Sequence, residues 1–194
     1  VGLMLGKSNF EETIISVFDE KKDIKDVVYK HQSGLKIIPG SISLDHLHKK
    51  DIALFNKSLL GLSDKAEMLI LDISSGLNQD NLALIKNCHD LILVTSPDFV
   101  SVTETLKLLK VAKNHHKNIM GIVVNKYSGK DYDMKIDNIQ HLMNEKVIAV
   151  IPDHPSIKQA LKVKYPVVYS HPSSPAAEAF EKFACNMIGM EYKP

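Results

Sequence analysis

Three stretches of the sequence join an apolar run to polar groups that could bind a charged or planar ligand. In the first, Met68-Leu69-Ile70-Leu71 ends in Asp72, and Gly76 follows four residues later. A carboxylate at the tip of a buried strand can accept hydrogen bonds from water on Mg²⁺, and a glycine beyond it lets a loop approach a phosphate. An aspartate that caps a following helix would read the same locally. The second stretch is Val123-Val124-Asn125-Lys126. An Asn amide at a strand tip can donate to and accept from a purine edge, or it can begin a turn before Ser128-Gly129. The third is Val150-Ile151-Pro152-Asp153-His154-Pro155. Its two prolines bracket a rigid loop that could hold a base against its backbone groups; equally, it could connect a strand to a helix with Asp153 near the helix start.

The elements that would carry these residues follow from the hydrophobic pattern. Strands are predicted at Leu35 to Pro39, Glu67 to Asp72, Leu91 to Ser96, Ile119 to Asn125 and Val147 to Ile151. Cores such as Leu91-Ile92-Leu93-Val94 are continuously apolar, as in parallel strands buried on both faces. Between them Val102, Leu106, Leu109 and Ala112 recur at helical spacing, with Glu104, Lys107, Lys110 and Lys113 on the other side. Similar patterns predict helices at Asp51 to Leu62, Asp80 to Cys88, Asp131 to Asn144 and Pro155 to Lys162. A final helix is predicted to start at Pro175 with Ser174 as its N-cap. Strand–helix alternation means a doubly wound α/β domain with a mostly parallel sheet and helices on both faces. Ligands bind such sheets beyond the carboxyl ends of the strands, where all three polar stretches fall.

Composition narrows the partners. The 194 residues carry a formal net charge of +1, and all 24 basic residues are lysines. Nothing here marks a nucleic-acid surface, and no arginine is present for bidentate phosphate or guanine recognition. Cys88 and Cys185 are too few for a zinc site or a disulfide framework and read as a reduced pair. No apolar run is long enough to span a bilayer. His46, His48, His115 and His116 lack ligand spacing and read as exposed.

The motifs taken in order resemble a known family. Asp72 and Gly76, then Thr95-Ser96-Pro97-Asp98, then Val123-Val124-Asn125-Lys126, then Val150-Ile151-Pro152-Asp153 resemble the MinD branch of the MinD/ParA ATPases, archaeal forms especially. Leu35-Lys36-Ile37-Ile38-Pro39-Gly40, Tyr165-Pro166-Val167-Val168 and Ser173-Ser174-Pro175-Ala176-Ala177 extend the likeness across essentially the whole chain. It implies a P-loop NTPase fold like that of the nitrogenase iron protein, with residues 1–194 forming one domain. It also implies ATP and Mg²⁺ as ligands. Asp72 would be the Walker B aspartate, holding Mg²⁺ through water, and Gly76 the switch II glycine. Asn125, Pro152 and Asp153 would frame the adenine. Ser74 and Ser75 stand where the family commonly has Pro and Ala.

The family's phosphate loop, Lys-Gly-Gly-x-Gly-Lys followed by Ser or Thr, does not occur in these residues. Gly6-Lys7-Ser8 imitates its end, but Gly2 is one residue too close for G-x-x-x-x-G-K-[ST]. The chain, opening on Val1, is expected to start after switch I and to lack two interior strands. Glu67 to Asp72 would then be short of backbone partners. Taken alone, the chain is expected to be inactive.

The function implied by the resemblance is that of an ATP-dependent homodimeric switch. It would be cytoplasmic, or peripheral at the membrane through an unidentified protein partner, and would serve division-site or intracellular positioning. Direct nucleic-acid binding is not expected. A non-hydrolysing interaction module is the alternative, and an iron–sulfur carrier is disfavoured by the lack of Cys-x-x-Cys. Phe180, Phe183, Ala184, Met187 and Ile188 form a stripe expected to dock on the sheet rather than anchor in a membrane, since the polar face carries little positive charge.

Overall fold

A computed structural model of the chain describes residues 4, 6–7, 10–19, 22–40, 58–59, 61–62, 66–74, 76 and 78–193. They divide into two units, Val1–Asn87 and Cys88–Pro194.

In the first unit, Thr13 and Ser16 form a capping box. Thr13 Oγ1 accepts from the Ile15 N–H, and Ser16 Oγ accepts from the Thr13 N–H. Helix α1, Ile14–Phe18, follows, and then a 3₁₀ turn at Ile24–Val27 capped by Asp23. Val17, Ile24, Val27 and Leu62 make a small apolar core. Strand β1, Tyr29–Lys30, pairs antiparallel with β2, Lys36–Ile37. The run Leu35 to Pro39, expected in a parallel sheet, is thus mostly outside regular structure, and its two paired residues belong to a short hairpin. Helix α2, Gln79–Asn87, closes the unit; Asn78 Oδ1 caps it by accepting from the Asn81 N–H at 2.7 Å.

Glu67 to Asp72 is not a strand. It makes no ladder among the described residues, and Met68, Leu69 and Ile70 are 49%, 46% and 78% exposed. An apolar run becomes a strand only where a neighbour supplies the alternate hydrogen bonds. The helix expected at Asp51 to Leu62 lies largely outside the described residues; Ser58 and Leu59 are helical.

The second unit alternates strictly. Strand β3 (Asp90–Thr95) leads to α3 (Phe99–Asn114), β4 (Asn118–Tyr127), α4 (Ile136–Met143) and β5 (Val147–Pro152). Helices α5 (Pro155–Val163), α6 (Val167–Ser170) and α7 (Pro175–Met187) complete it. The strands form a parallel sheet in the order β3-β4-β5. Gly121, Ile122, Val123 and Val124 of β4 are all buried, so the central strand is covered on both faces, as its unbroken apolar run requires. Leu93, Ile122 and Val124 pack with Val102 and Leu109 of α3 and Ile139 and Met143 of α4. A second cluster joins Ala160, Val167 and Ala176, with Phe180 against it.

Ser174 does cap α7, accepting from the Ala177 N–H, with Pro175 in the first turn. Helix α7 packs on β5, and Phe183 lines a cavity with Ile148, Ala149 and Val150. Ala184 and Ile188 are exposed, so the docked stripe is narrower than expected. On α3, Lys107, Lys110 and Lys113 are solvated, while Lys117 beyond the helix turns inward and donates to the Cys88 carbonyl at 2.9 Å. Burial pushes the Cys88 thiol up, against the lowering effect of Lys117. Of the histidines, His116 is exposed and His115 half-buried at the helix end; His46 and His48 lie outside the described residues. No described helix is long and apolar enough to cross a membrane.

Candidate functional site

The carboxyl end of the β4–β5 pair gathers three of the candidate residues. Val124 is in register with Val150 and Tyr127 with Pro152, and between these rungs the ladder shifts. The irregularity falls on Asn125 and Lys126, and Lys126 takes the left-handed value φ 59°. Bulges of this kind re-aim side chains at the ends of sheets. Asn125 Oδ1 accepts from the Lys126 N–H at 2.9 Å. That bond orients the amide and leaves its Nδ2 hydrogens without a partner among the described residues, available to an acceptor. The Asp153 N–H donates to the Tyr127 carbonyl at 2.9 Å, so the Pro152-Asp153 corner is tied to the strand that carries Asn125. Asp153 itself is exposed.

Beyond β4 the chain does not turn at Asn125; the strand continues to Tyr127. The next loop is organised by Asp133, whose Oδ2 accepts from Ser128 N–H, Ser128 Oγ and Gly129 N–H at 2.7, 2.8 and 2.9 Å. Desolvation pushes its carboxyl up, but the hydrogen bonds from Ser128, Gly129 and Lys130 together outweigh it and hold the pKa below the ordinary value. The Met134 N–H reaches the Pro97 carbonyl at 2.7 Å, joining this loop to the one after β3. There Asp98 caps α3 by accepting from the Ser101 N–H at 2.9 Å. On the other side His154 starts α5; its Nδ1 accepts from the Ser156 N–H at 3.2 Å and meets Ser156 Oγ at 2.8 Å.

Asp72 and Gly76 belong to the first unit. Asp72 is exposed. Gly76 has φ 97°, a left-handed value that favours glycine, and nothing lies within 4 Å of where a Cβ would sit. The loop between them is held by a residue that the pattern of the sequence does not mark. Asn81, 3% exposed, donates from Nδ2 to the carbonyls of Ser74 and Gly76, both at 2.8 Å, and accepts from Ser74 Oγ at 3.2 Å. The one local signal is its place three residues after Asn78, where a helix start would bury it.

Gly6-Lys7, the imitation phosphate loop, is placed differently. The Lys7 ammonium sits over the Tyr29 ring at 4.0 Å and near the Phe10 ring at 5.3 Å. Among the described residues no group of three or more His, Cys, Asp or Glu could hold a metal by itself. A divalent cation would need ligand oxygens in addition to a single carboxylate, as Mg²⁺ on a phosphate does.

Known proteins resemble the chain in sequence and fold. A family model described as an AAA domain matches residues 72–161, from Asp72 into α5. An uncharacterized ATP-binding protein of Methanocaldococcus jannaschii is 29% identical over 191 residues, which are 98% of this chain and 72% of that protein. The crystal structure of the Pyrococcus furiosus cell division ATPase MinD superposes with a TM-score of 0.87 at 28% identity, over 97% of this chain and 80% of that one. The Pyrococcus horikoshii septum site-determining protein MinD, solved in complex with Mg-ADP, gives a TM-score of 0.85 at 27% identity, over 96% and 77% of the two chains. Strand order, motif order and these likenesses agree on a P-loop NTPase-type α/β fold, and the chain resembles archaeal MinD ATPases over nearly its whole length.

Proposed function

We propose that the full-length protein is an ATP-binding and ATP-hydrolysing switch of the MinD type. It pairs two copies around ATP, engages a protein partner in that state and resets on hydrolysis. What carries the reading is the β4–β5 register, which sets the Asn125 amide and the Pro152-Asp153 corner side by side at the ligand end of a parallel sheet. A relative of the same fold holds Mg-ADP, which supports nucleotide and Mg²⁺ as ligands here.

The residues fit such a ligand. Asn125 offers amide hydrogens to an adenine nitrogen, and the Pro152-Asp153 backbone offers flanking groups. Asp72, exposed at the end of an apolar run, can accept from water on Mg²⁺, and Gly76 leaves room for a phosphate to approach the loop. Mg²⁺ neutralises charge on the phosphates in such reactions, and the protein's share is positioning. In this reading residues 1–194 belong to one ATPase domain and do not hydrolyse ATP by themselves. Taken alone they bind Mg·ATP in roughly the millimolar range or weaker, since base contacts supply only a few kcal/mol. The homodimer, the cytoplasmic or partner-mediated membrane location and a role in division or intracellular positioning belong to the same proposal.

Light scattering with phosphate-release assays tests it. With Mg·ATP the full-length protein should double in mass and return to monomers as phosphate appears. Constant mass with no phosphate release would overturn the proposal.

A further inference from the structure

We infer that Asn81 is a positioning residue for the Asp72–Gly76 loop, holding the carbonyls of Ser74 and Gly76 to the start of α2. The inference rests on the ATPase reading for its consequence, but its structural part stands on the first unit alone.

Each polar group of the Asn81 side chain is committed to that loop. Nδ2 donates to Ser74 O and Gly76 O, both at 2.8 Å, and Oδ1 accepts from Ser74 Oγ at 3.2 Å. Two carbonyl oxygens facing one end of the amide require hydrogens there, so the amide has one orientation only. The backbone of Asn81 is fixed in turn, its N–H donating to Asn78 Oδ1 at 2.7 Å in the first turn of α2. The loop is therefore pinned to a helix start at two carbonyls, and one of them belongs to the glycine whose φ is 97°.

No close relative of Asn does the same. An aspartate would set a carboxylate against two carbonyl oxygens, and an alanine would strand both carbonyls beside a buried position. Ser74 and Gly76 are themselves exposed, so burial of their own atoms does not hold them. Without Asn81 the segment from Asp72 to Gly76 would lose the side-chain tie on Ser74 and Gly76, and with it the constraint on where the glycine sits after the carboxylate. Misplacement by about 1 Å in such a site costs on the order of a hundredfold in rate.

The test uses the full-length protein with Asn81→Ala and Asn81→Asp, and two readouts. The first is steady-state hydrolysis of Mg·ATP beside equilibrium binding of Mg·ADP. The expected result is kcat lower by about ten- to a hundredfold, with ADP affinity within about twofold and the ADP binding stoichiometry unchanged, a combination that mere loss of folded protein would not give. The second is limited proteolysis, with cleavage within 73–78 expected to quicken in both variants while α2 stays intact. Should Asn81→Ala not fold, Asn81→Ser, which keeps one donor, carries the same comparison. Unchanged cleavage within 73–78 would overturn the assignment of Asn81 whatever the kinetics. A wild-type protein that hydrolyses no ATP would overturn the ATPase reading instead, and the proteolysis result would still decide for or against Asn81.

Discussion

The Asp153 N–H donates to the Tyr127 carbonyl over 2.9 Å, and this bond joins the end of β4 to the turn that leaves β5. Asn125 lies two residues before Tyr127, on the bulge, with its Oδ1 already taken by the Lys126 N–H. That bond orients the amide so that its Nδ2 hydrogens are the groups left to donate outward. A donor at this place suits an adenine ring nitrogen. Ser128 stands where a guanine-reading aspartate would be in Asn-Lys-x-Asp, and both its N–H and its hydroxyl are committed to Asp133.

Base selection should accordingly favour ATP. In equilibrium competition on the full-length protein, GTP should bind at least about tenfold more weakly than ATP, because Ser128 supplies no carboxylate to pair the guanine N1–H and amine. Asn125→Ala should weaken ATP by about tenfold, the loss of one hydrogen bond in a partly desolvated site. Equal competition by GTP would contradict the assignment.

Gly121 should tolerate no side chain. It sits within β4 at φ 147°, and a Cβ there would lie 2.4 Å from Ile148 Cγ2 and 2.9 Å from the Lys146 carbonyl. Gly121→Ala is expected to destabilise the protein by about 2–3 kcal/mol through overpacking between adjacent strands. Urea unfolding checks this. Adding Ile148→Ala should recover only part of the loss, because the Lys146 carbonyl remains in the way.

The second unit was legible because its strands announce themselves. Leu91–Val94 and Gly121–Val124 are buried on both faces, and continuous burial writes a continuous apolar run. Met68–Leu71 writes the same run but forms no strand, since a ladder depends on neighbours that no local pattern reports. The Lys36–Ile37 pairing was hidden for a similar reason: only the opposing Tyr29–Lys30 makes it a hairpin. The helix expected from Asp131 begins at Ile136, because Asp133 spends its carboxylate on Ser128 and Gly129. At the candidate site, Asn125, Pro152 and Asp153 could be picked out by type and place. Asn81 could not, since a buried amide in a first helical turn looks like any solvated polar residue until its partners are seen.

Acid should loosen two loops at that end of the sheet. The Ser101 backbone N–H, then its side chain, hold the Asp98 carboxyl below its ordinary value, and Asp133 is also lowered. A carboxylate whose pKa is depressed on folding contributes stability that is full above the unfolded value, about 3.9, and is lost as pH falls through the folded one. Thermal midpoints should therefore drop below about pH 4, and more steeply than in the Asp98→Asn and Asp133→Asn variants. At neutral pH, Asp98→Ala should cost about 1 kcal/mol as a lost helix cap. Parallel pH profiles for wild type and both Asn variants would contradict the linkage.

Asp72 gives the most direct test of the whole account. It is exposed at the end of an apolar run, four residues before Gly76, and the ATPase reading asks it to hold Mg²⁺ through water. The measurement is Mg²⁺-dependent ATP turnover by the full-length protein and its Asp72→Ala variant, with circular dichroism and ADP binding recorded on the same samples. Turnover should fall by orders of magnitude in the variant, roughly a hundredfold or more, with the spectrum unchanged. Near-wild-type turnover in Asp72→Ala, or no turnover in the parent protein, would contradict it.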